Sequence, residues 1–238
     1  MVRLLFLVAW LAVGGAHAQQ LELLTEEYPP FNMSDAQGKL VGISTDIVRE
    51  LFRQAQVPYT LAVSPWMRAV YTVRKQPDHC VFSMSRLADR EAQFRWVGPL
   101  AFDDWSLFAR MPLAQKPKAL ADVKGARIGS YLGDGGVDYL RRRGFEVDGA
   151  PNDDLNPRKL LMGRIDYWAS GKLSGQFRLK AQKIEGIEPV LKLERGDLYL
   201  ACNLATSSER IDLLNKLLAD MHKRGVVARI YAQYGYTP

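Results

Sequence analysis

Apolar runs of strand length alternate with amphipathic stretches of helix length along most of this chain, and that alternation restricts the fold more than any other feature. Leu21, Leu23 and Leu24 open a short strand. Tyr28-Pro29-Pro30-Phe31 follows as a loop, because consecutive prolines neither donate to a ladder nor continue a helix. Residues 38–42, bounded by Gly38 and Gly42, read as a hairpin-like return. Ser44 or Thr45 is then expected to cap a helix with Ile47, Val48, Leu51, Phe52 and Ala55 on one face. Pro58 ends that helix, and 59–63 reads as the next strand. Pro65-Trp66 opens a second helix, with Met67, Val70 and Val73 expected to point inward. Residues 80–84 form a buried strand, and 94–107 are extended and aromatic. Strand–helix–strand–helix–strand implies a parallel sheet with right-handed crossovers.

A second α/β unit follows. Residues 126–131 read as a strand, Gly133-Asp134-Gly135-Gly136 as a glycine-rich loop, and 137–143 as a helix ended by Gly144. A strand at 145–147, a helix at 156–162, a strand at 164–169 and a helix at 173–180 complete the unit. A further strand at 198–204 precedes a helical end, with Ile211, Leu214, Leu217, Leu218 and Met221 on one face. The expectation is an α/β protein of two lobes, each a mostly parallel sheet flanked by helices. Residues 19–107 and 201–238 form the first lobe and 108–200 the second. Extended hinge crossings are expected near Phe108 and Leu200.

The N-terminal stretch sets the compartment. Arg3 precedes an apolar run over 4–13, and Ala16-His17-Ala18 offers the small residues that signal peptidase accepts. The run is too short to span a bilayer, which takes about 20 apolar residues. Residues 1–18 therefore read as a signal peptide, and the mature protein as a soluble periplasmic one. The formal charge of +6 is spread along the chain, and its densest cluster, Arg141-Arg142-Arg143, suits a solvated helix face better than a nucleic-acid patch. Cys80 and Cys202 each lie in an apolar run; an oxidising compartment permits a disulfide, and two buried thiols are the alternative. His79 and His222 are isolated, so no metal site and no cofactor are expected.

Six segments, in order and spacing, carry a resemblance. They are Tyr28-Pro29-Pro30-Phe31, Gly42-Ile43-Ser44-Thr45-Asp46-Ile47, Pro65-Trp66-Met67-Arg68-Ala69, residues 82–90, Gly163-Arg164-Ile165-Asp166, and residues 224–231. Together the chain resembles the type II extracellular solute-binding proteins of family 3, which serve ABC importers, mostly for polar amino acids. The resemblance implies the periplasmic-binding-protein-like II fold and a cleft that closes on a small solute. It also implies an aromatic lid at Tyr28, hydroxyls at Ser83 and Ser85, a carboxylate clamp at Arg90, and a pocket wall at Trp66. The second lobe then contributes the loop 133–136, with Asp134 and Gly135. Glu27, Phe31, Arg68, Arg86 and Trp168 are further candidates. The chemistry agrees with the pattern. Ligands of such sheets bind beyond the carboxyl ends of the strands, and a guanidinium offers a planar fork to a carboxylate.

Two positions depart from the family's pattern. Gly171 stands where the resemblance implies an Asp for the ligand's ammonium, and Asp134 stands where Thr or Ser is usual. Asp134 either caps its helix or, like Glu27, takes over the ammonium. The partners expected are a small solute and an inner-membrane ABC permease or sensor receptor, with no nucleic acid, and the chain is expected to be a monomer. A sensing partner of a membrane receptor and a dehydratase of the prephenate or arogenate type are the rival functions. Glu26, Glu27 and Asp134 are the acids that the sequence allows near the cleft, and no Ser-His-Asp set or convincing carboxylate pair supports catalysis.

Overall fold

The computed structural model describes residues 20–237; the expected signal peptide lies outside them. The first unit runs β1 (Leu21–Thr25), β2 (Met33–Ser34), β3 (Leu40–Val41), α1 (Ile43–Ala55), β4 (Tyr59–Val63), α2 (Trp66–Lys75), β5 (His79–Ser85) and β6 (Arg95–Phe102). The second runs β7 (Trp105–Arg110), β8 (Ile128–Tyr131), α3 (Gly135–Arg141), β9 (Val147–Ala150), α4 (Asn156–Leu161), β10 (Tyr167–Gly171), α5 (Lys172–Ala181) and β11 (Ile187–Glu194). The chain then returns through β12 (Asp197–Cys202) to α6 (Ser208–Lys223) and α7 (Val226–Gln233).

Two five-stranded sheets result, ordered β4-β1-β5-β12-β6 and β11-β7-β10-β8-β9. In the first, β4, β1 and β5 run parallel while β12 is antiparallel to β5 and β6. In the second, β10, β8 and β9 run parallel and β7 is antiparallel to β10 and β11. This is the expected α/β architecture, with antiparallel strands where the chain changes sheets. The crossings lie at Asp103-Asp104 and Arg195-Gly196, a few residues ahead of Phe108 and Leu200. Phe108 pairs with Trp168 inside β7, and Leu200 pairs with Phe82 inside β12, so both are sheet interior. The crossing segments touch: Asp103 N donates to Gly196 O at 2.8 Å, and a Cβ at Gly196 would lie 2.3 Å from Asp103 O.

Helix α1 shows how the core forms. Ile47, Val48, Leu51 and Phe52 recur at helical spacing and are at most 1% exposed against the first sheet. Its start is Gly42, not Ser44 or Thr45. The N–H groups of Ile43, Ser44 and Thr45 donate to the Pro30 and Phe31 carbonyls, so the turn after β1 satisfies the orphan donors without a side-chain cap. That contact needs a glycine: at φ 126° a Cβ on Gly42 would lie 2.4 Å from Phe31 O. Met67 faces outward on α2 at 67% exposure, and Trp66, Ala69, Val70 and Val73 fill the inward stripe instead. Cys80 and Cys202 are directly opposed in β5 and β12 and form a disulfide.

Candidate functional site

Three strands of the first sheet and three of the second end toward the same seam. Glu26, Glu27 and Tyr28 leave β1, Ser64, Pro65 and Trp66 leave β4, and Ser83 and Ser85 close β5. From the other side Asp134 follows β8, Asp153 follows β9, and α5 starts directly after β10. A cavity of about 900 Å³ opens between the lobes, walled by Glu26, Tyr28 and Trp66 on one side and Tyr131, Asp134 and Arg178 on the other. A second cavity of about 20 Å³, room for about one water, adjoins it and shares Glu26, Tyr28, Trp66 and Asp134.

The small cavity brings together Tyr28, Trp66, Ser83, Ser85, Arg90, Asp134 and Gly135, residues that lie far apart in the sequence. Ser83 sits at φ 64°, a left-handed conformation in the middle of a strand-end pair, where it costs about 1–3 kcal/mol. Its hydroxyl donates to Asn32 Oδ1 at 2.5 Å. Gly135 packs between Trp105 of its own lobe and Ser85 of the other; a Cβ there would meet Trp105 Cζ2 at 2.7 Å and Ser85 Oγ at 3.0 Å. Arg90, whose side chain is 11% exposed, reaches across the seam to Asp138 Oδ2 at 3.2 Å and Gly133 O at 3.4 Å. Tyr131 crosses the other way and donates its hydroxyl to Glu26 Oε2 at 2.8 Å. These contacts hold the two lobes together over the small cavity.

Of the other candidates, Glu27 lines the large cavity, with its carboxylate turned to the Ser34 N–H at 3.0 Å. Phe31, Arg68, Arg86 and Trp168 line neither cavity. Phe31 is core and stacks on Tyr28 with ring centroids 5.4 Å apart. Arg68 projects from the solvent side of α2. Arg86 is held by Glu91 and by the rings of Trp96 and Tyr199. Trp168 is fully buried, donating its indole N–H to Asp153 Oδ1 at 2.8 Å. Asp153 also accepts from Ser170 and, with Asp154, pairs with Arg178, which makes it a structural anchor beneath the cavity.

Sequence reading passed over Asp103. This side chain, 1% exposed at the first crossing, accepts from Leu173 N at 2.8 Å, Ser174 N at 3.2 Å and the Tyr28 hydroxyl at 3.1 Å. It fills the space beside Gly171: a Cβ there would lie 1.9 Å from Asp103 Oδ2 and 2.6 Å from the Tyr28 hydroxyl. The available signal was an acid pair, Asp103-Asp104, interrupting an apolar extended run.

Burial governs the electrostatics of the seam. It pushes the Glu26 carboxyl from 4.5 up to about 8, opposed by the Tyr131 hydrogen bond and reinforced by the charge of Asp134. It raises Asp103 to about 7 against the two α5 N–H groups, and Asp134 to about 6 against the Gly136 N–H. The Tyr28 hydroxyl is raised well above its ordinary value by burial and then by the neighbouring Asp103.

A two-lobed α/β molecule whose strand ends meet across a polar, aromatic-walled seam has the form of a solute-binding protein. The model of the bacterial extracellular solute-binding proteins, family 3, matches residues 23–237. This chain belongs to that family. Family 3 relatives include the histidine-binding periplasmic protein of Salmonella typhimurium, 23% identical over 94% of this chain and 90% of that protein. The L-cystine-binding protein TcyJ of Escherichia coli is 23% identical over 58% of this chain and 53% of its own. Among solved structures, an ancestral arginine-binding protein bound to arginine superposes with a TM-score of 0.79 at 22% identity, covering 91% of this chain and 99% of that one. A histidine kinase sensor domain with similarity to periplasmic binding proteins does so with a TM-score of 0.84 at 18% identity, covering 92% and 98%. The relatives named are binding proteins. Among the described residues, no helix of this family 3 member is long and apolar enough to cross a membrane.

Proposed function

We propose that this family 3 protein binds a small, polar, amino-acid-like solute in the periplasm and delivers it to an ABC permease, without chemical conversion. The observation that carries the reading is the convergence, at the carboxyl ends of strands from two lobes, of an arginine, two strand-end serines and two aromatic rings around one seam. In this reading Arg90 exchanges Asp138 for the solute's carboxylate, Ser83 and Ser85 complete that end, and Tyr28 and Trp66 enclose the rest. The histidine-, cystine- and arginine-binding relatives support the solute class, and the histidine-binding one, periplasmic by name, supports the compartment. The Cys80–Cys202 disulfide suits the same oxidising compartment.

A binding role rather than an enzymatic one is supported by how the candidate groups are engaged. The Ser83 hydroxyl donates to Asn32 rather than to a base. His79 pairs with Glu22 and His222 with the Pro99 carbonyl, both away from the cavities. The test is native mass spectrometry of gently purified protein, followed by calorimetric titration with the twenty amino acids. One bound solute per chain, retained without modification, is the expected result. Turnover of prephenate or arogenate by the purified protein would contradict the binding reading.

A further inference from the structure

Charge is divided unevenly between the lobes. Residues 105–194, between the two crossings, hold sixteen Lys and Arg against eleven Asp and Glu. The rest of the described chain holds fifteen of each, so the second lobe carries the whole surplus. Part of that surplus gathers at the edge opposite the cleft. Strands β8, β9 and β10 run parallel from a common edge, where Ile128 pairs with Val147 and Tyr167, and their carboxyl ends point to the seam. At their amino ends a separate cavity of about 980 Å³ opens.

The cavity has an apolar floor that includes Leu120 and Phe145, and its rim carries Lys124, Arg127, Arg143 and Arg164. Arg127 is engaged: it bonds Asp166 at 2.7 Å and the Gly163 carbonyl at 2.8 Å, which fixes the turn after α4 against the rim. Lys124, Arg143 and Arg164 are exposed, and among the described residues no ion pair engages them. Arg143 only stacks on Tyr139 and donates to its carbonyl, which leaves its charge uncompensated. Two acids share the rim, Glu146 and Asp148, and Lys159 holds Asp148 at 2.8 Å. The same turn exposes Leu161 at 38% and Met162 at 67%, beside Arg164. Cations ringing exposed apolar side chains match a membrane interface, which offers anionic headgroups above and apolar depth below. An acidic protein segment would match the cations but would set carboxylates against Leu161 and Met162.

We propose that this outer edge of the second lobe docks on an anionic phospholipid membrane, with Lys124, Arg143 and Arg164 meeting headgroup phosphates and Leu161 and Met162 entering the interface beside them. The charge asymmetry turns this lobe, rather than the neutral first one, toward such a surface. Contact through one lobe's outer edge leaves the cleft and both crossings free, so the chain gathers at the membrane while still able to bind and close. The proposal is independent of which solute the cleft takes.

The test is flotation of the exported chain, residues 19–238, with vesicles of phosphatidylcholine alone and of equal parts phosphatidylcholine and phosphatidylglycerol, at low ionic strength. Partitioning is expected to be at least about 20-fold stronger onto the anionic vesicles and to be lost at about 0.5 M salt. The triple variant Lys124→Gln, Arg143→Gln, Arg164→Gln is expected to weaken it at least about 20-fold, since each basic residue near an anionic surface contributes about fivefold. The matched first-lobe variant Lys75→Gln, Lys216→Gln, Lys223→Gln removes the same net charge from exposed sites and is expected to change it less than about threefold. Met162→Ser is expected to weaken it at least about threefold, with thermal melts of all variants matching the parent's. No preference for anionic vesicles, or equal losses in the two triple variants, would overturn the proposal. Binding to polyglutamate as tight as to anionic vesicles, with Met162→Ser unchanged on both, would assign the edge to an acidic protein and overturn it as well.

Discussion

Gly171 has no room for a side chain because Asp103 holds that space. The carboxylate reaches the start of α5 from the first crossing instead of from β10, where it satisfies two N–H groups that would otherwise lack partners. The two positions should therefore be energetically coupled. Gly171→Asp alone is expected to cost more than about 2 kcal/mol, from steric overlap and a second buried acid. Combined with Asp103→Ala it is expected to recover at least about 1 kcal/mol of that loss. Chemical denaturation of the two single variants and the double variant measures this, and strictly additive losses would contradict the coupling. Glu26 gives a second residue-scale expectation. Between about 4.5 and about 8 the folded chain keeps a proton on Glu26 that the unfolded chain releases, so this residue's contribution to stability falls as pH rises through that window. Asp134 and Asp103 act with the same sign. Glu26→Gln removes one titration, so its melting temperature should gain on the parent's as pH rises from 5 to 8. Parallel melting curves across that range would rule out the burial of an ionisable carboxylate there.

At the scale of elements, legibility followed local pattern. Helices α1, α2, α5 and α6 and strands β1, β4, β5 and β12 carry their own periodicity and were readable within a few residues. Strand β11 was not, because Ile187–Glu194 is an edge strand with charged residues and a proline, and its pairing with β7 is irregular. The start of α1 was misplaced because its capping groups are carbonyls from a distant turn, invisible to a local rule. The same reason hid Asp103, whose partners lie about 70 residues away. By contrast, Tyr28, Trp66, Ser83, Ser85 and Arg90 follow or close parallel strands, and that topology alone brings them to one edge. Packing of α1 sets the stability of the first lobe, and Phe52→Ala is expected to cost about 3–5 kcal/mol. The disulfide joins neighbouring strands whose cysteines are 122 residues apart, with the whole second lobe between them. Replacing both cysteines by serine is expected to cost about 2–5 kcal/mol, read from urea denaturation. An unchanged midpoint would mean that the crosslink does not constrain the unfolded chain.

At the scale of the molecule, the fold is a pair of sheets joined by two short crossings that touch at Asp103 and Gly196. Such paired crossings suit rotation of one lobe against the other. Glu26–Tyr131 and Arg90–Asp138 bridge the lobes in the structure, and a bound solute must replace or add to these bridges to favour closure. Arg90 is the group whose role separates binding from folding most cleanly. Its pair with Asp138 is partly solvated and is worth about 0–1 kcal/mol, so Arg90→Ala should lower the melting temperature by less than about 4 °C. Calorimetric titration of Arg90→Ala with the solute retained by the parent protein is the most direct test of a binding seam between the lobes. Affinity reduced at least 100-fold in a normally folded variant is the expected result; undiminished affinity would show that the solute is held somewhere else.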